Sequence, residues 1–420
     1  MEKGKSFEIT QLQVLEAYKR VKANKGAGGV DGVDFEEFDK NKENNLYKLW
    51  NRMASGSYLP KAVRGVEIPK RNGKKRLLGI PTIEDRVAQM VVRLEFEPRV
   101  ERIFCEDSYG YRPNKSAGDA VRVTRKRCFD LPWVLEFDIV GLFDNIDHKL
   151  MMKAVKFHTD SKWVILYIER MLKAPMQMPD GSTKERNAGT PQGGVISPVL
   201  ANLYMHYAFD AWMTRNIPSS PFARYADDGI VHCRTREEAE LILNKLNNRM
   251  IECELKLHPD KTRIVYCKND RHDRKRKQVL KEENESFDFL GFTFRRRFAR
   301  NKFGEFFNTF TPAVSNDAAK RFRERITDTR KKYQIRTIEE IADKMNPVIR
   351  GWANYFKEFG LAETKEILDF VNHTLVRWLK KKYKRIKKSN YKAWRLLSNI
   401  ARVRPELFYH WQMGVKPTIG

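Results

Sequence analysis

Two short apolar runs in this chain end in carboxylates, and that pattern constrains its fold more than any other. Residues 133–148 read WVLEFDIVGLFDNIDH, which predicts a buried strand ending at Asp138 and then a turn into a helix. Residues 224–231 read RYADDGIV, a tight acidic turn with Phe222 before it and Ile230 and Val231 after it. A hairpin turn at Asp227–Asp228 sets carboxylates at an exposed rim, where they repel each other unless a cation sits between them. Mg²⁺ prefers such hard oxygen ligands. Asp-Asp-Gly is also ordinary turn chemistry, so the turn alone leaves both readings open. The second acidic strand end sharpens it. On neighbouring strands, Asp138, Asp227 and Asp228 would form one three-carboxylate site for two Mg²⁺ about 4 Å apart, the apparatus of in-line phosphoryl transfer. Asp144 and Asp147 read as helix-start residues, because Asp favours helix N-termini.

The charge of the chain agrees with a polyanionic substrate. Its 420 residues carry 81 Lys and Arg against 54 Asp and Glu, a formal charge of +27. An excess of that size needs a polyanion to sit against, and nucleic acid is the first candidate. At about 150 residues per domain, the length predicts two to three domains. No apolar stretch reaches the roughly 18 to 20 residues of a membrane-spanning helix, and the N-terminus MEKGKSFEIT has no apolar signal core. Cys105, Cys128, Cys233, Cys253 and Cys267 form no CxxC pair, which argues against a disulfide framework or a Cys-rich zinc site. A cytoplasmic protein without a membrane partner is expected.

Organisation along the chain is local. An amphipathic helix is expected at 11–23, then the Gly-rich turn NKGAGGVDGVD at 24–34, then a second helix over 35–56 marked by Phe35, Phe38, Leu46, Leu49 and Met53. From 61 to about 305, short β-branched runs alternate with helical stretches, an α+β core rather than an orderly βαβ series. Residues 268–285 are almost wholly polar and read as a solvated loop between strands. Beyond 315 the chain turns helical. Ser315 caps one helix, and Thr337 with Glu340 has capping-box spacing for the next. Pro347 should kink or restart that helix. A third helix begins near Thr364, with Ile367, Val371, Leu375 and Trp378 on one face. Its end, RWLKKKYKRIKK at 377–388, has eight basic residues in twelve and suits phosphate contact.

Other segments carry weaker signals. Residues 64–89 predict a basic hairpin, with Lys70, Lys74, Lys75 and Arg76 around an Asn72–Gly73 turn, suited to closing over a triphosphate or simply to solvation. Residues 108–121, SYGYRPNKSAGDAV, interleave Tyr109, Tyr111, Arg112 and Lys115, which suits stacking and phosphate contact with primer or template. In GTPQGGVISPVLAN, 189–202, Gly189, Gly193 and Gly194 let backbone approach a ligand, and Gln192 offers donor and acceptors to a nucleotide. Phe143 is either a core aromatic or a ring placed against the sugar of an incoming nucleotide.

The blocks RGVEIPKRNGKKRLLGIPTIEDR, SYGYRPN, FDIVGLFDNIDH, GTPQGGVISPVLAN, RYADD, LKLHPDKT and FLGF follow one another along residues 64–292. This ordered series resembles the reverse transcriptases encoded by bacterial group II introns. NKGAGGVDGVD resembles their N-terminal extension, and RGWANYF, 350–356, their maturase segment. The resemblance implies a right-hand fold of fingers, palm and thumb. It divides the chain into an extension and start of the fingers at 1–63, a fingers-palm core at 64–308, a helical thumb and maturase domain at 309–388 and a short appendage at 389–420. It implies Asp138, Asp227 and Asp228 as metal ligands, with the backbone carbonyl of Ile139. It implies Lys70 and Arg76 at the triphosphate, Phe143 as sugar gate and Gln192 near the nucleotide 3′-hydroxyl. Leu290 and Gly291 match the primer-gripping turn, and Lys261, in a further family block, is expected at the primer or template.

The implied activity is RNA-directed DNA polymerisation with two Mg²⁺, for which Mn²⁺ can substitute. Implied partners are an RNA template, a DNA or RNA primer, deoxynucleotides and group II intron RNA, with a monomer and a homodimer both open. No endonuclease pattern is visible, so target-DNA cleavage is not expected from these residues. Two rival readings stand beside it: an RNA-binding splicing cofactor with secondary polymerase activity, and an intron-free enzyme domesticated for phage defence or repair.

Overall fold

The computed structural model describes residues 5–69, 75–273, 284–300, 303–332 and 337–418. It divides into two compact units, Met1–Ala120 with Leu135–Ile264, and Val121–Val134 with Val265–Gly420. No described helix is long and apolar enough to cross a membrane.

In the first unit, helix Gln11–Ala23 buries Val14, Ala17, Tyr18 and Val21, as its periodicity predicts, behind a capping box of Thr10 and Gln13. It packs on Ile83–Glu101, a helix with buried residues around most of its circumference and so a core element. The one helix expected over 35–56 is two, Phe35–Lys40 and Lys42–Ala54. Asn41 leaves helical geometry at φ −134°, and Asn45 Nδ2 donates to the Phe38 carbonyl at 3.0 Å.

Two four-stranded sheets confirm the α+β class. One orders as Lys75–Ile80, Val63–Pro69, Met176–Gln177 and Thr183–Lys184. The other orders as Phe222–Tyr225, Asp228–Cys233, Trp133–Asp138 and Arg263–Tyr266. Both acidic strand ends thus lie on adjacent strands. The first two strands of this sheet form an antiparallel hairpin with Tyr225 opposite Asp228. Gly229 is required there by close approach: a Cβ would run into the Phe137 ring.

The second unit begins its sheet with Ser286–Phe289, Phe292–Arg300 and Phe306–Val314, all antiparallel. The expected boundary after 308 cuts this ladder, because Phe306–Val314 pairs with Phe292–Arg300 along its whole length. Of the polar segment 268–285, Asp270–Asp273 is a short helix, and residues 274–283 lie outside the described residues. Ser315 Oγ accepts from the Ala318 amide at 3.2 Å, opening helix Asn316–Lys332. Thr337 accepts from the Glu340 amide at 3.2 Å. Helix Ile338–Phe356 then runs through Pro347 without restarting. The third helix starts at Leu361 rather than Thr364, and Ile367, Val371 and Leu375 are buried. It ends at Lys382, and a 3₁₀ turn, Lys384–Ile386, continues the basic run.

The residues after 388 are part of the same core. Leu397, Phe408 and Trp411 pack in one cluster with Ile349 and Leu375. Buried Asn372 holds them: its Oδ1 accepts from Trp411 Nε1 at 2.8 Å and meets His410 Nε2 at 2.9 Å, while its Nδ2 donates to the Val415 carbonyl at 3.1 Å. His410 is fully buried, its Nδ1 has no hydrogen-bond partner, and burial pushes the imidazole down to about 3.

An imidazole whose folded pKa is depressed makes the fold sensitive to acid. Below the ordinary value of 6.5 the unfolded chain takes up a proton that the fold refuses until about 3, so stability falls as pH drops through that window. Guanidinium unfolding from about pH 7 to pH 5 should show a falling midpoint that His410→Gln flattens. An unchanged pH slope in that variant would remove His410 from this role.

Candidate active site

The site is assembled on a buried ion pair. Arg224 and Asp210 are both fully buried. Arg224 Nε and Nη2 donate to the two Asp210 carboxylate oxygens at 2.7 and 2.6 Å. The guanidinium also donates to Ser108 Oγ at 2.8 Å, to the Ala226 carbonyl at 3.0 Å and to Asn202 Oδ1 at 3.3 Å. Asn202 Nδ2 donates to the Gly110 carbonyl at 2.7 Å, and the Tyr109 amide to the Arg224 carbonyl at 2.8 Å. The segments SYG, VLAN and RYADD are therefore locked around one guanidinium. Ala226 is held with φ +56°, a left-handed turn residue immediately before the two acids. Sequence reasoning missed this group. Its signal is an Arg inside an otherwise apolar strand, a residue almost never buried unless paired.

The acids lie side by side on this frame. The Ile139 amide donates to the Asp227 carbonyl at 3.3 Å, and the Asp138 carbonyl accepts from the His258 amide at 2.8 Å. Asp138 is buried, and Asp227 and Asp228 are half-buried. Burial, then the charges of Asp227 and Asp138, push the Asp228 carboxyl up to about 8. Burial and the Asp138 charge raise Asp227 as well, against Lys261 and Arg76. Lys261, on the 3₁₀ turn Pro259–Lys261, donates from Nζ to Asp138 Oδ2 at 2.6 Å. Burial opposes the Lys261 charge, but the bond to Asp138 and the neighbouring acids outweigh it, and its pKa is raised. Among the described residues no three His, Cys, Asp or Glu side chains converge as a ready-made metal cage. The acids are electrostatic neighbours rather than converged ligands, and the ammonium neutralises one of them. Their chemistry nonetheless fits a hard divalent cation: oxygen donors at neighbouring strand ends whose mutual repulsion Lys261 offsets only in part.

The residues expected on the nucleotide side are partly brought together. Arg76 donates from Nε to Gln192 Oε1, and Gln192 Nε2 donates to Asp144 Oδ2 at 3.1 Å. Asp144 is thus more than a helix-start residue, whereas Asp147 is one, accepting from the Leu150 amide at 2.7 Å. Tyr111 is half-exposed at φ +58°, with its ring 6.4 Å edge-on from Phe143 and 6.2 Å from Tyr225. Burial and the Asp227 charge raise the Tyr111 phenol pKa. Lys70, Asn72, Gly73 and Lys74 lie outside the described residues.

Three expectations change. Arg112 does not present its guanidinium to a strand of nucleic acid. It is buried and donates to Glu101 at 2.8 Å and to the Cys105 and Ser108 carbonyls at 2.5 and 2.8 Å. Gly189 gives close approach to protein rather than ligand: at φ +79°, a Cβ there would sit 2.7 Å from the Phe143 and Asp144 carbonyls. Lys261 meets an acid of the cluster, where a contact to primer or template was expected. Leu290 and Gly291 belong to the second unit, in a left-handed turn at φ +52° and +85°, with Tyr355 Oη donating to the Leu290 carbonyl at 2.8 Å.

An α+β sheet with clustered strand-end acids, an adjoining arginine and a basic chain define an enzyme acting on nucleotides or nucleic acid. Residues 68–294, more than half the chain, match the reverse transcriptase (RNA-dependent DNA polymerase) family. Residues 319–397 match the group II intron maturase-specific domain. The chain belongs to the reverse transcriptase family: it is an RNA-directed DNA polymerase joined to a maturase-specific domain.

Protein YkfC of Escherichia coli (strain K12) is 30% identical over 294 residues, covering 61% of this chain and 72% of that protein. Group II intron-encoded protein LtrA of Lactococcus lactis subsp. cremoris is 36% identical over 165 residues, 39% of this chain and 27% of LtrA. Putative COX1/OXI3 intron 1 protein of Saccharomyces cerevisiae is 27% identical over 247 residues, 59% of this chain and 29% of that protein. The matched stretch is thus less than a third of the length of the two intron proteins.

Removing one partner of the Arg224–Asp210 pair leaves the other charge buried. Asp210→Ala should cost about 3–5 kcal/mol of stability, read as a lowered denaturation midpoint, because an uncompensated buried charge is expensive. A midpoint within error of the wild type would show that the pair does not hold the turn.

Proposed function

We propose that this polymerase works by metal-assisted nucleotidyl transfer at Asp138, Asp227 and Asp228, and that its second unit binds group II intron RNA and supports splicing. The carrying observation is that Asp138 ends one strand while Asp227 and Asp228 stand at the start of the strand beside it, with Lys261 bonded to Asp138. In this reading the sheet bearing the acids is the palm, the strands Val63–Pro69 and Lys75–Ile80 belong to the fingers, and the helices from Asn316 onward form the thumb.

The primer 3′-hydroxyl attacks the α-phosphorus of a deoxynucleoside triphosphate, a phosphodiester forms, and pyrophosphate leaves. Bound Mg²⁺, held by Asp138, Asp227, Asp228 and the Ile139 carbonyl, would neutralise the triphosphate and lower the pKa of the attacking hydroxyl. The chain's own residues do the rest. Arg76 pairs with the triphosphate, as its exposed place beside Gln192 supports. Gln192, also bonded to Asp144, positions the nucleotide near its 3′-hydroxyl. Phe143, buttressed edge-on by Tyr111, crowds the sugar 2′ position. Lys261 offsets the charge of Asp138. Leu290 and Gly291 grip the primer through their left-handed turn.

The match of residues 319–397 to the maturase-specific domain supports a splicing role beside polymerisation. The basic run 377–388 supplies phosphate contacts for it, and its affinity for RNA falls steeply with salt.

Primer extension on an RNA template should be abolished in Asp227→Ala while RNA binding persists; full extension by that variant would sink the assignment. Intron splicing by the same variant separates the maturase role from polymerisation. Phe143→Ala should raise ribonucleotide incorporation, measured as the ratio of ribo- to deoxynucleotide insertion, and an unchanged ratio would take the ring out of sugar selection.

A further inference from the structure

The second unit carries a surface that the polymerase chemistry does not use. Strands Phe292–Arg300 and Phe306–Val314 pair in register from Phe292 opposite Val314 to Arg300 opposite Phe306. At the inner end of one face, Phe292, Phe294 and Phe310 are buried and anchor the ladder. The same face continues outward as Arg296, Phe298 and Arg300, with Phe306 opposite the last. Here the rings are not covered: Phe298 is 74% and Phe306 75% exposed. The Arg296 guanidinium lies 5.7 Å from the Phe298 ring centre, and that of Arg300 lies 5.7 Å from the Phe306 ring centre. Both arginines are tethered through Nε, Arg296 to Asn308 Oδ1 at 2.7 Å and Arg300 to the Gly304 carbonyl at 2.9 Å.

Two large rings in water are costly unless something covers them. The charge around them selects the partner. The described residues of 292–310 include four arginines against one glutamate, Glu305. Phe298 and Phe306 each adjoin a guanidinium, a positive patch that suits a polyanion. Rings that offer a π-face between cations suit bases flanked by phosphates. Alternate residues of a strand stand about 7 Å apart on one face, a spacing on the scale of the repeat of an extended polynucleotide. Bases in a duplex hide their faces, so the surface requires unpaired nucleotides.

We infer that this hairpin face docks unpaired RNA, stacking bases on Phe298 and Phe306 and pairing phosphates with Arg296 and Arg300. The choice of RNA rests on the reading of the chain as an RNA-directed polymerase with a maturase domain.

The test titrates the full chain against a fluorescein-labelled uridine oligonucleotide and against a duplex RNA of equal length. The pair Phe298→Leu and Phe306→Leu keeps apolar bulk and strand propensity but removes the stacking faces; it should weaken oligonucleotide binding about tenfold or more. Phe298→Trp with Phe306→Trp should bind at least as tightly as wild type, which separates loss of stacking from loss of folding. Arg296→Gln with Arg300→Gln should lower the slope of log affinity on log salt by about 1.4. Wild-type affinity in the Leu pair, or duplex bound as tightly as the oligonucleotide, overturns the inference. So does a Leu pair that loses self-association in sedimentation while keeping its RNA affinity, because the face would then join two copies of the chain. Wild-type primer extension, run in parallel, reads the polymerase assignment by itself. Its failure leaves the stacking result to be judged on the oligonucleotide data alone.

Discussion

The geometry of the acidic turn depends on one fully buried ion pair, Arg224 with Asp210. Removing two charges from water costs several kcal/mol per ion, and a pair repays it only with good geometry and further hydrogen bonds. Both conditions are met: the contact to Asp210 is bidentate, and Ser108, Asn202 and the Ala226 carbonyl take further donors. A guanidinium is a rigid planar fork, so its partners are fixed relative to one another. Asp210 reaches it from a π-helical turn, His206–Asp210, a rare geometry that recurs at functional sites. Three segments distant in sequence are thereby set in one register, and the acids inherit it.

Electrostatics work at two scales. Across the whole chain, the charge of +27 draws a polyanion towards the protein. Locally, Asp138, Asp227 and Asp228 make a negative spot that the polyanion's phosphates would avoid if it stayed uncompensated. Lys261 and Arg76 temper it: both lower the cost of charging Asp227, and Lys261 bonds directly to Asp138. They do not erase it: the charges of Asp227 and Asp138 still add to burial in holding the Asp228 carboxyl raised. The remaining demand for positive charge is what a divalent cation bridging protein and triphosphate would meet.

Much of the fold was legible because periodicity and caps are local. Gln11–Ala23 and Leu361–Lys382 form where apolar spacing places them, and Ser315 and Thr337 cap where their side chains predict. The misses have non-local causes. The break at Asn41 accompanies a side-chain bond from Asn45 to the Phe38 carbonyl, and the helix does not restart at Pro347 because Met345, Ile349 and Ala353 are buried in the bundle core on both sides of it. The segment after 388 looked like an appendage because its partners, Asn372 and Leu375, lie in another helix. In the site, residue identity was legible but allegiance was not. Arg112 and Arg76 are both basic residues in motif blocks, yet one is consumed by Glu101 and two carbonyls while the other stands exposed beside Gln192.

The sequence by itself determined the family, through the order of its motif blocks, and the polyanion preference, through its charge. It also determined that acids terminate two strands, because alternation and turn residues are written locally. The tertiary structure decided which strands lie side by side, that Arg224 rather than Arg112 organises the acidic turn, and that Lys261 meets Asp138. These depend on burial and on distances between residues more than a hundred positions apart, as for Lys261 with Asp138 and Arg224 with Ser108. A charge in water and a charge in a core are the same letter; only packing decides which of them must find a partner.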